Sequence, residues 1–381
     1  MSTYRSPWMD EELDIFRRSV SKFVETEMAP YDETWRQQQH IDKSLWRKAG
    51  TQGFLCTDIP AEYGGVGADF RYEAVFYEEQ WRRGLTGMGQ GVHSISANYI
   101  LNHGTEEQKN RWLPKMTSGE MIGAIAMTEP GTGSDLQAIA TRAQKEGDYY
   151  VVNGSKIFIT NGYLCELLLL IVKTDPNAGG RGLSILVLET AGLDGYRVGR
   201  KLKKLGQKAQ DTCELFFEDV RVHESQLLGG EEGQGFAQLM SDLPYERTTV
   251  GVQTIATMEG ALAETVSYVK DRKAFGKSLF DQQNTRFKLA EIHAQTRAAR
   301  VFVDRCIELV AVGELDNTTA SMCKWWLPEL QQTVLDQCLQ LHGGYGYMDE
   351  YLICRMYADS RVARIYAGTS EIMLELIARD L

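Results

Sequence analysis

The segment Met127-Thr128-Glu129-Pro130-Gly131-Thr132-Gly133-Ser134-Asp135 packs one proline, two glycines and a set of short polar side chains behind the apolar run 121–126. Gly131 and Gly133 allow backbone conformations and close approaches that a Cβ forbids, while Thr128, Thr132 and Ser134 add hydroxyls beside unpaired N–H groups. A loop of this kind brings backbone to a ligand. A second segment, Phe158-Ile159-Thr160-Asn161, ends a period-two stretch (149–159) with an aromatic ring and a hydroxyl. A ring face beside hydrogen-bonding hydroxyls suits a flat heteroaromatic molecule. Two ordinary β-turns joining strands account for the same residues.

Four further clusters carry chemistry and each also has a plain reading. Asp271-Arg272-Lys273-Ala274-Phe275-Gly276-Lys277, with Gln283 beyond it, reads as a solvated basic helix end stopped by Gly276, with positive charge favourable at the carbonyl end. Gln340-Leu341-His342-Gly343-Gly344-Tyr345-Gly346 is a helix stop whose glycines also permit close backbone approach. In Tyr366-Ala367-Gly368-Thr369-Ser370-Glu371, Thr369 can cap a last helix with Glu371 in its first turn. Asp242-Leu243-Pro244-Tyr245-Glu246-Arg247 offers a carboxylate beside a guanidinium, which taken alone is an exposed helical glutamate in an ion pair.

Taken together, these segments resemble the acyl-CoA dehydrogenase family over nearly the whole chain, most closely its long-chain branch. The resemblance implies FAD as cofactor, with Met127, Thr128, Gly133, Ser134, Phe158 and Thr160 around the flavin and the Thr160 hydroxyl near its N5. Many members carry Trp where this chain has Phe158, which keeps the apolar contact and loses an indole N–H. The family pattern Arg-x-x-Phe-Gly with a later Gln matches at Arg272, Phe275, Gly276 and Gln283. It implies contacts to the dinucleotide of a neighbouring subunit, and so a homo-oligomer, usually a dimer of dimers. Gln340, Gly343 and Gly344 match the adenosine-half contacts, and Thr369 and Glu371 match flavin contacts. Many members also carry their catalytic glutamate just before the Gly368 position, where this chain has Ala367. The long-chain and isovaleryl branches instead place the base at the position of Glu246, so the two departures cancel. Arg247 matches the arginine that follows the base; Ser134, Arg247, Ala367 and Gly368 are the implied substrate contacts.

The implied reaction is α,β-dehydrogenation of an acyl-CoA to a trans-2-enoyl-CoA, with electron-transferring flavoprotein as the acceptor. An α-hydrogen of a thioester is too weakly acidic for an ordinary carboxylate. The site must therefore stabilise enolate charge at the thioester oxygen, through the Ala367 N–H and a flavin ribityl hydroxyl, and raise the pKa of Glu246 by excluding water. An acyl-CoA oxidase, a dehydrogenase of isovaleryl or other branched or isoprenoid acyl groups, and a non-catalytic flavin- or CoA-binding subunit are the alternatives.

The elements that must position these residues follow from composition and periodicity. A chain of 381 residues exceeds one hydrophobic core, and its net charge of -11 argues against nucleic acid. No apolar run approaches the roughly 20 residues of a membrane span, and the N-terminus lacks a signal-peptide core. A bacterial-type cytoplasmic protein, or a trimmed mitochondrial mature form, is expected. Seven cysteines without a C-x-x-C pair argue against a disulfide framework or a zinc site. Helical periodicity starts at Asp10 and ends near Pro30, then returns at 71–81, 93–102 and 105–116, the last opened by a Thr105 cap. Strand patterns at 149–159, 167–173, 182–189 and 212–220 form a middle region, and long helices follow at 235–270, 281–312 and 318–342. The expected fold is α+β: an N-terminal all-α domain (1–120), a middle antiparallel β domain (121–233) and a C-terminal four-helix-bundle domain (234–381). His93, His103 and His342 read as packing or surface residues.

Overall fold

The computed structural model describes residues 4–381. Six helices open the chain: α1 (Glu11–Phe23), α2 (Asp32–Gln38), α3 (Lys43–Thr51), α4 (Phe70–Trp81), α5 (Gln90–His103) and α6 (Glu106–Thr117). Asp10 caps α1 by accepting from the Leu13 N–H at 2.9 Å, and Leu13, Val20 and Phe23 bury one face at helical spacing. The helix does not run unbroken to Pro30. It passes through a π-turn (Val24–Met28) and a 3-10 turn (Ala29–Tyr31), where the proline stands at the start of the tighter turn. Thr105 and Gln108 cap α6 reciprocally, as the threonine predicts.

Seven strands form one sheet: β1 (Gly123–Ala126), β2 (Arg142–Glu146), β3 (Tyr149–Thr160), β4 (Leu167–Lys173), β5 (Leu183–Glu189), β6 (Tyr196–Lys201) and β7 (Thr212–His223). The order is β1-β4-β2-β3-β7-β6, with β5 also on β4. Alternation explains how β4 and β5 sit in the middle of the core. Leu167, Leu169, Ile171, Ile185 and Val187 face a cluster shared with α5 and α6, whereas Leu168, Leu170, Val172, Leu186 and Leu188 face the cluster of β3 and β7. The expected antiparallel β domain is in detail a mixed sheet. β1 runs parallel to β4, and β2 meets β4 in one parallel pair, Arg142↔Lys173. Between β1 and β4 the chain makes the β2–β3 hairpin, long enough for the crossover that parallel neighbours need.

The C-terminal region comprises α7 (Gly235–Ser241), α8 (Leu243–Asp271), the two-residue strands β8 (Lys273–Ala274) and β9 (Lys277–Ser278), α9 (Gln283–Ala311), α10 (Asn317–His342), α11 (Leu352–Ser360) and α12 (Ser370–Ala378). The single helix expected over 235–270 is two, because the chain breaks at Asp242 and restarts with Pro244 in the first turn of α8. Helices α8 to α11 share one core, into which α4 inserts Phe70, Ala74, Val75, Tyr77 and Trp81. A buried ion-pair set ties the same elements together: Arg300 of α9 donates to Glu78 of α4 at 2.5 Å and to Glu259 of α8 at 2.8 Å. All seven cysteines are free thiols. No helix of the described residues is long and apolar enough to cross a membrane.

Candidate active site

Glu246 stands in the first turn of α8, directly after the break that Pro244 enforces, and its side chain is buried. It is not the exposed, ion-paired glutamate of the plain reading. The Tyr99 hydroxyl of α5 donates to its Oε1 at 2.6 Å. Burial pushes the carboxyl up to about 7, with Asp242 adding to the rise while the Tyr99 bond and Arg247 oppose it. A carboxyl poised near neutrality in a dry site is a proton acceptor in waiting. Arg247 turns the other way and donates to Ser321 Oγ of α10 at 2.9 Å. Among the described residues its buried Nε has no hydrogen-bond partner.

One turn beyond Ser321 on α10, the buried Lys324 donates from Nζ to the carbonyl oxygen of Gly368. Burial, reinforced by Arg247, pushes this ammonium down to about 7. The helix thus brings the Glu246–Arg247 turn and the 366–369 loop to one face of α10. Ala367 has φ +51° and Gly368 φ +89°, and among the described residues the Ala367 N–H has no hydrogen-bond partner. Thr369 caps α12 by accepting from the Ile372 N–H at 3.3 Å, and Glu371 is exposed in the first turn.

The 127–135 loop and β3 are one unit. The Ile157 N–H donates to the Thr128 carbonyl at 2.9 Å, and Lys156 Nζ reaches the Met127 carbonyl at 2.9 Å and Glu129 Oε1 at 2.8 Å. Glu129 also accepts from the Ala140 and Thr141 N–H groups. Burial drags Lys156 down to about 8; at Glu129 burial acts in the opposite direction but the facing ammonium outweighs it, so the pair stays charged. This buried pair fixes the base of the loop and leaves Gly133 and Ser134 exposed at its tip. A register shift between Lys156 and Ile159 in the β3–β7 ladder puts Phe158 at φ +62° and turns its ring outward, 63 % exposed; Thr160 is half-buried at the strand end.

Arg272, Gln340, Gly343 and Gly344 come together elsewhere, in a groove of about 560 Å³ whose walls include Tyr268 and His342. The Arg272 guanidinium lies 5.4 Å over the Tyr345 ring. A Cβ added at Gly343 or Gly344 would meet nothing within 4 Å, so their backbone faces open space. Every residue lining this groove belongs to the C-terminal helical region, and none to the 127–135 loop. Phe275, at φ +53° and 98 % exposed, and Gln283 lie outside the lining. Of the non-glycine residues with positive φ among the described residues, Phe158, Asn161, Phe275 and Ala367 lie in segments singled out by sequence. Phe275 and Gly276 form the two-residue turn between β8 and β9, whose geometry calls for positive φ at both positions. The set fits a flavin dinucleotide in two parts: an open, hydroxyl-bearing loop beside an exposed ring, and a cationic groove with bare backbone for a pyrophosphate and adenosine.

Models of the acyl-CoA dehydrogenase N-terminal, middle and C-terminal domains match residues 10–120, 124–220 and 233–381. The chain belongs to the acyl-CoA dehydrogenase family. It is 48 % identical to the mitochondrial long-chain specific acyl-CoA dehydrogenase of Rattus norvegicus, over 97 % of this chain and 86 % of that one. It is 35 % identical to the mitochondrial isovaleryl-CoA dehydrogenase of Oryza sativa subsp. japonica, over 100 % of this chain and 93 % of that one. An acyl-CoA dehydrogenase from Geobacillus kaustophilus superposes with a TM-score of 0.96 at 47 % identity, each chain covered to 99 %. Members are FAD-dependent oxidoreductases acting on CH–CH bonds, and this chain is one.

Sequence reasoning did not find Tyr99, Lys324 or the Glu129–Lys156 pair. Their partners lie far along the chain, and only Glu129, inside the glycine loop, carried a local signal. His93 accepts at Nδ1 from the Gly123 N–H and contacts the Met116 carbonyl through Nε2, a structural role. His103 sits on Asp242 at 3.2 Å.

Proposed function

We propose that Glu246 removes the α-proton of a long-chain acyl-CoA, with the thioester oxygen held by the Ala367 N–H. The observation that carries this reading is the burial of Glu246 beside Tyr99 in a chain that has alanine at 367. The Tyr99 hydroxyl orients the carboxylate, and the Ala367 N–H, without a partner among the described residues, supplies a donor where negative charge develops. Bound FAD supplies the acceptor for the hydride leaving the β-carbon. Met127, Thr128, Gly133, Ser134, Phe158, Thr160, Thr369 and Glu371 would hold its flavin end. Arg272, Phe275, Gln283, Gln340, Gly343 and Gly344 would hold the dinucleotide of a neighbouring subunit. Ser134, Arg247 and Gly368 complete the substrate contacts. The protein works as a homotetramer in the cytoplasm and passes its electrons to an electron-transferring flavoprotein.

Long-chain preference is supported by α5. Gly91 and Ile95 are partly exposed, as are Val92, Leu101 and His103 of the same helix, and the next residue at the 91–95 spacing is Tyr99. The stripe 91–95–99 gives an acyl chain a path along one helix face that ends at Glu246. Anaerobic mixing with acyl-CoAs from butyryl to stearoyl, and with isovaleryl-CoA, tests the reading through loss of flavin absorbance. Reduction fastest with long straight chains is expected; no reduction by any of them refutes it. Reoxidation by air at the catalytic rate would instead identify an oxidase.

A further inference from the structure

Lys324 is 1 % exposed, and its one described hydrogen bond goes to the carbonyl oxygen of Gly368. Burying an ammonium is costly unless its hydrogen bond and its position do something that an apolar residue cannot. Here the site chosen is a backbone carbonyl in a loop under strain. Ala367 is a Cβ-bearing residue at φ +51°, and Gly368 is pressed on α12 so closely that a Cβ there would meet Met373 Cε at 2.6 Å. The loop is held upstream by the Tyr366 N–H on the Val362 carbonyl at 3.2 Å and downstream by the Thr369 cap. Between those anchors, among the described residues, the Lys324 bond to the Gly368 carbonyl holds the Gly368–Thr369 peptide, with one peptide between it and the peptide that carries the Ala367 N–H. The same face of α10 holds Arg247 through Ser321, one turn away.

We propose that Lys324 is a positioning residue for the reaction: through the Gly368 carbonyl it holds the Ala367 N–H at the orientation in which it receives the thioester oxygen, in register with Glu246. The inference rests on the assignment of that N–H to the thioester, made above. Lys324 touches neither substrate nor reacting atoms. Its effect is on how well the site stabilises an enolate, not on whether the chain folds or binds FAD. Orientation of one donor is worth orders of magnitude in such a site, because the donor must face the charge when it forms.

A 3-thia-acyl-CoA tests this, since it has an acidic α-hydrogen and no β-hydride to transfer. Its ionisation on the FAD-loaded protein is read as long-wavelength charge-transfer absorption across pH. Wild type should show the band; its absence would refute the reaction assignment itself, separately from Lys324. Lys324→Met should keep FAD content, oligomer size and analogue binding, yet lower the ionisation constant of the bound analogue by roughly ten- to a hundredfold. Lys324→Arg should recover most of that loss. Unchanged ionisation in FAD-loaded Lys324→Met overturns the proposal. Should that variant fail to load FAD, Lys324→Gln decides in the same assay: weakened ionisation with FAD bound supports the role, while wild-type ionisation, or loss of FAD here too, overturns it in favour of a purely structural lysine.

Discussion

Glu246 illustrates how one residue can be costly to the fold and necessary to the chemistry. Its folded pKa of about 7 lies above the ordinary 4.5, so between those values the folded protein binds a proton that the unfolded chain has released. The contribution to stability is therefore full below pH 4.5, falls as pH rises through about 7, and is constant above. The loss amounts to roughly 3 kcal/mol at about 1.4 kcal/mol per unit. Glu246→Gln removes the ionisation while keeping size and the Tyr99 contact. Its melting temperature relative to wild type should rise between pH 5 and pH 8, and a constant difference would show that the glutamate titrates normally. The same variant should bind FAD and acyl-CoA but reduce the flavin at least ~100-fold more slowly, the low end of general-base contributions. Wild-type reduction should increase with pH through about 7 as the base ionises, and the variant should lose that limb. In sequence, the base was legible only through the coincidence of Ala367 with Glu246. Its burial and its Tyr99 partner, 147 positions away, were not.

At the scale of elements, local signals located most helices and strands and missed where they bend. The residue that starts α8, Pro244, was visible, yet helical periodicity on both sides of Asp242 concealed the break that sets Glu246 in a first turn. Likewise, alternation located β3 but not the bulge that turns Phe158 outward, since a bulge is defined by the partner strand β7. The parallel pairing of β1 with β4 was hidden for the same reason. A consequence specific to helix packing concerns Gly91, where α5 and α8 approach. A Cβ there would lie 3.2 Å from both Gln253 Nε2, the end of a flexible side chain, and Thr249 Cγ2, a stiff methyl on a buried threonine. Gly91→Leu should tighten the α5–α8 contact and block the stripe toward Ile95, and it is compared with wild type at equal FAD content. The ratio of kcat/KM for stearoyl-CoA to that for hexanoyl-CoA should fall by roughly tenfold or more, the scale of a few lost methylene contacts. An unchanged ratio would place the acyl chain on another face.

At the scale of the whole molecule, the groove at Arg272 is lined by no residue of the 127–135 loop, the other segment proposed to hold the dinucleotide. The hydroxyl-bearing loop of the sheet and the Arg272 groove of the helical region draw on separate residues, and the apolar Phe275 ring between β8 and β9 is 98 % exposed. The positive φ of Phe275 belongs to the two-residue turn it forms with Gly276 between β8 and β9, but its ring, so exposed, packs on nothing among the described residues. The arrangement is explained if a second copy covers Phe275 and receives the Arg272 groove against its own bound dinucleotide. FAD binding and assembly are then one equilibrium, because each interface completes a cofactor site and each bound cofactor stabilises the interface. Two substitutions separate the contributions. Phe275→Glu places a charge in the covered surface and should give a smaller species in size-exclusion chromatography with light scattering, with FAD per chain falling in parallel and recovering as protein concentration is raised. Arg272→Ala removes a cation from the groove without adding a charge to the interface, so FAD should be lost first and excess FAD should restore the oligomer. If Phe275→Glu keeps both its size and its flavin, the exposed ring has another partner, and the dinucleotide is held within a single chain.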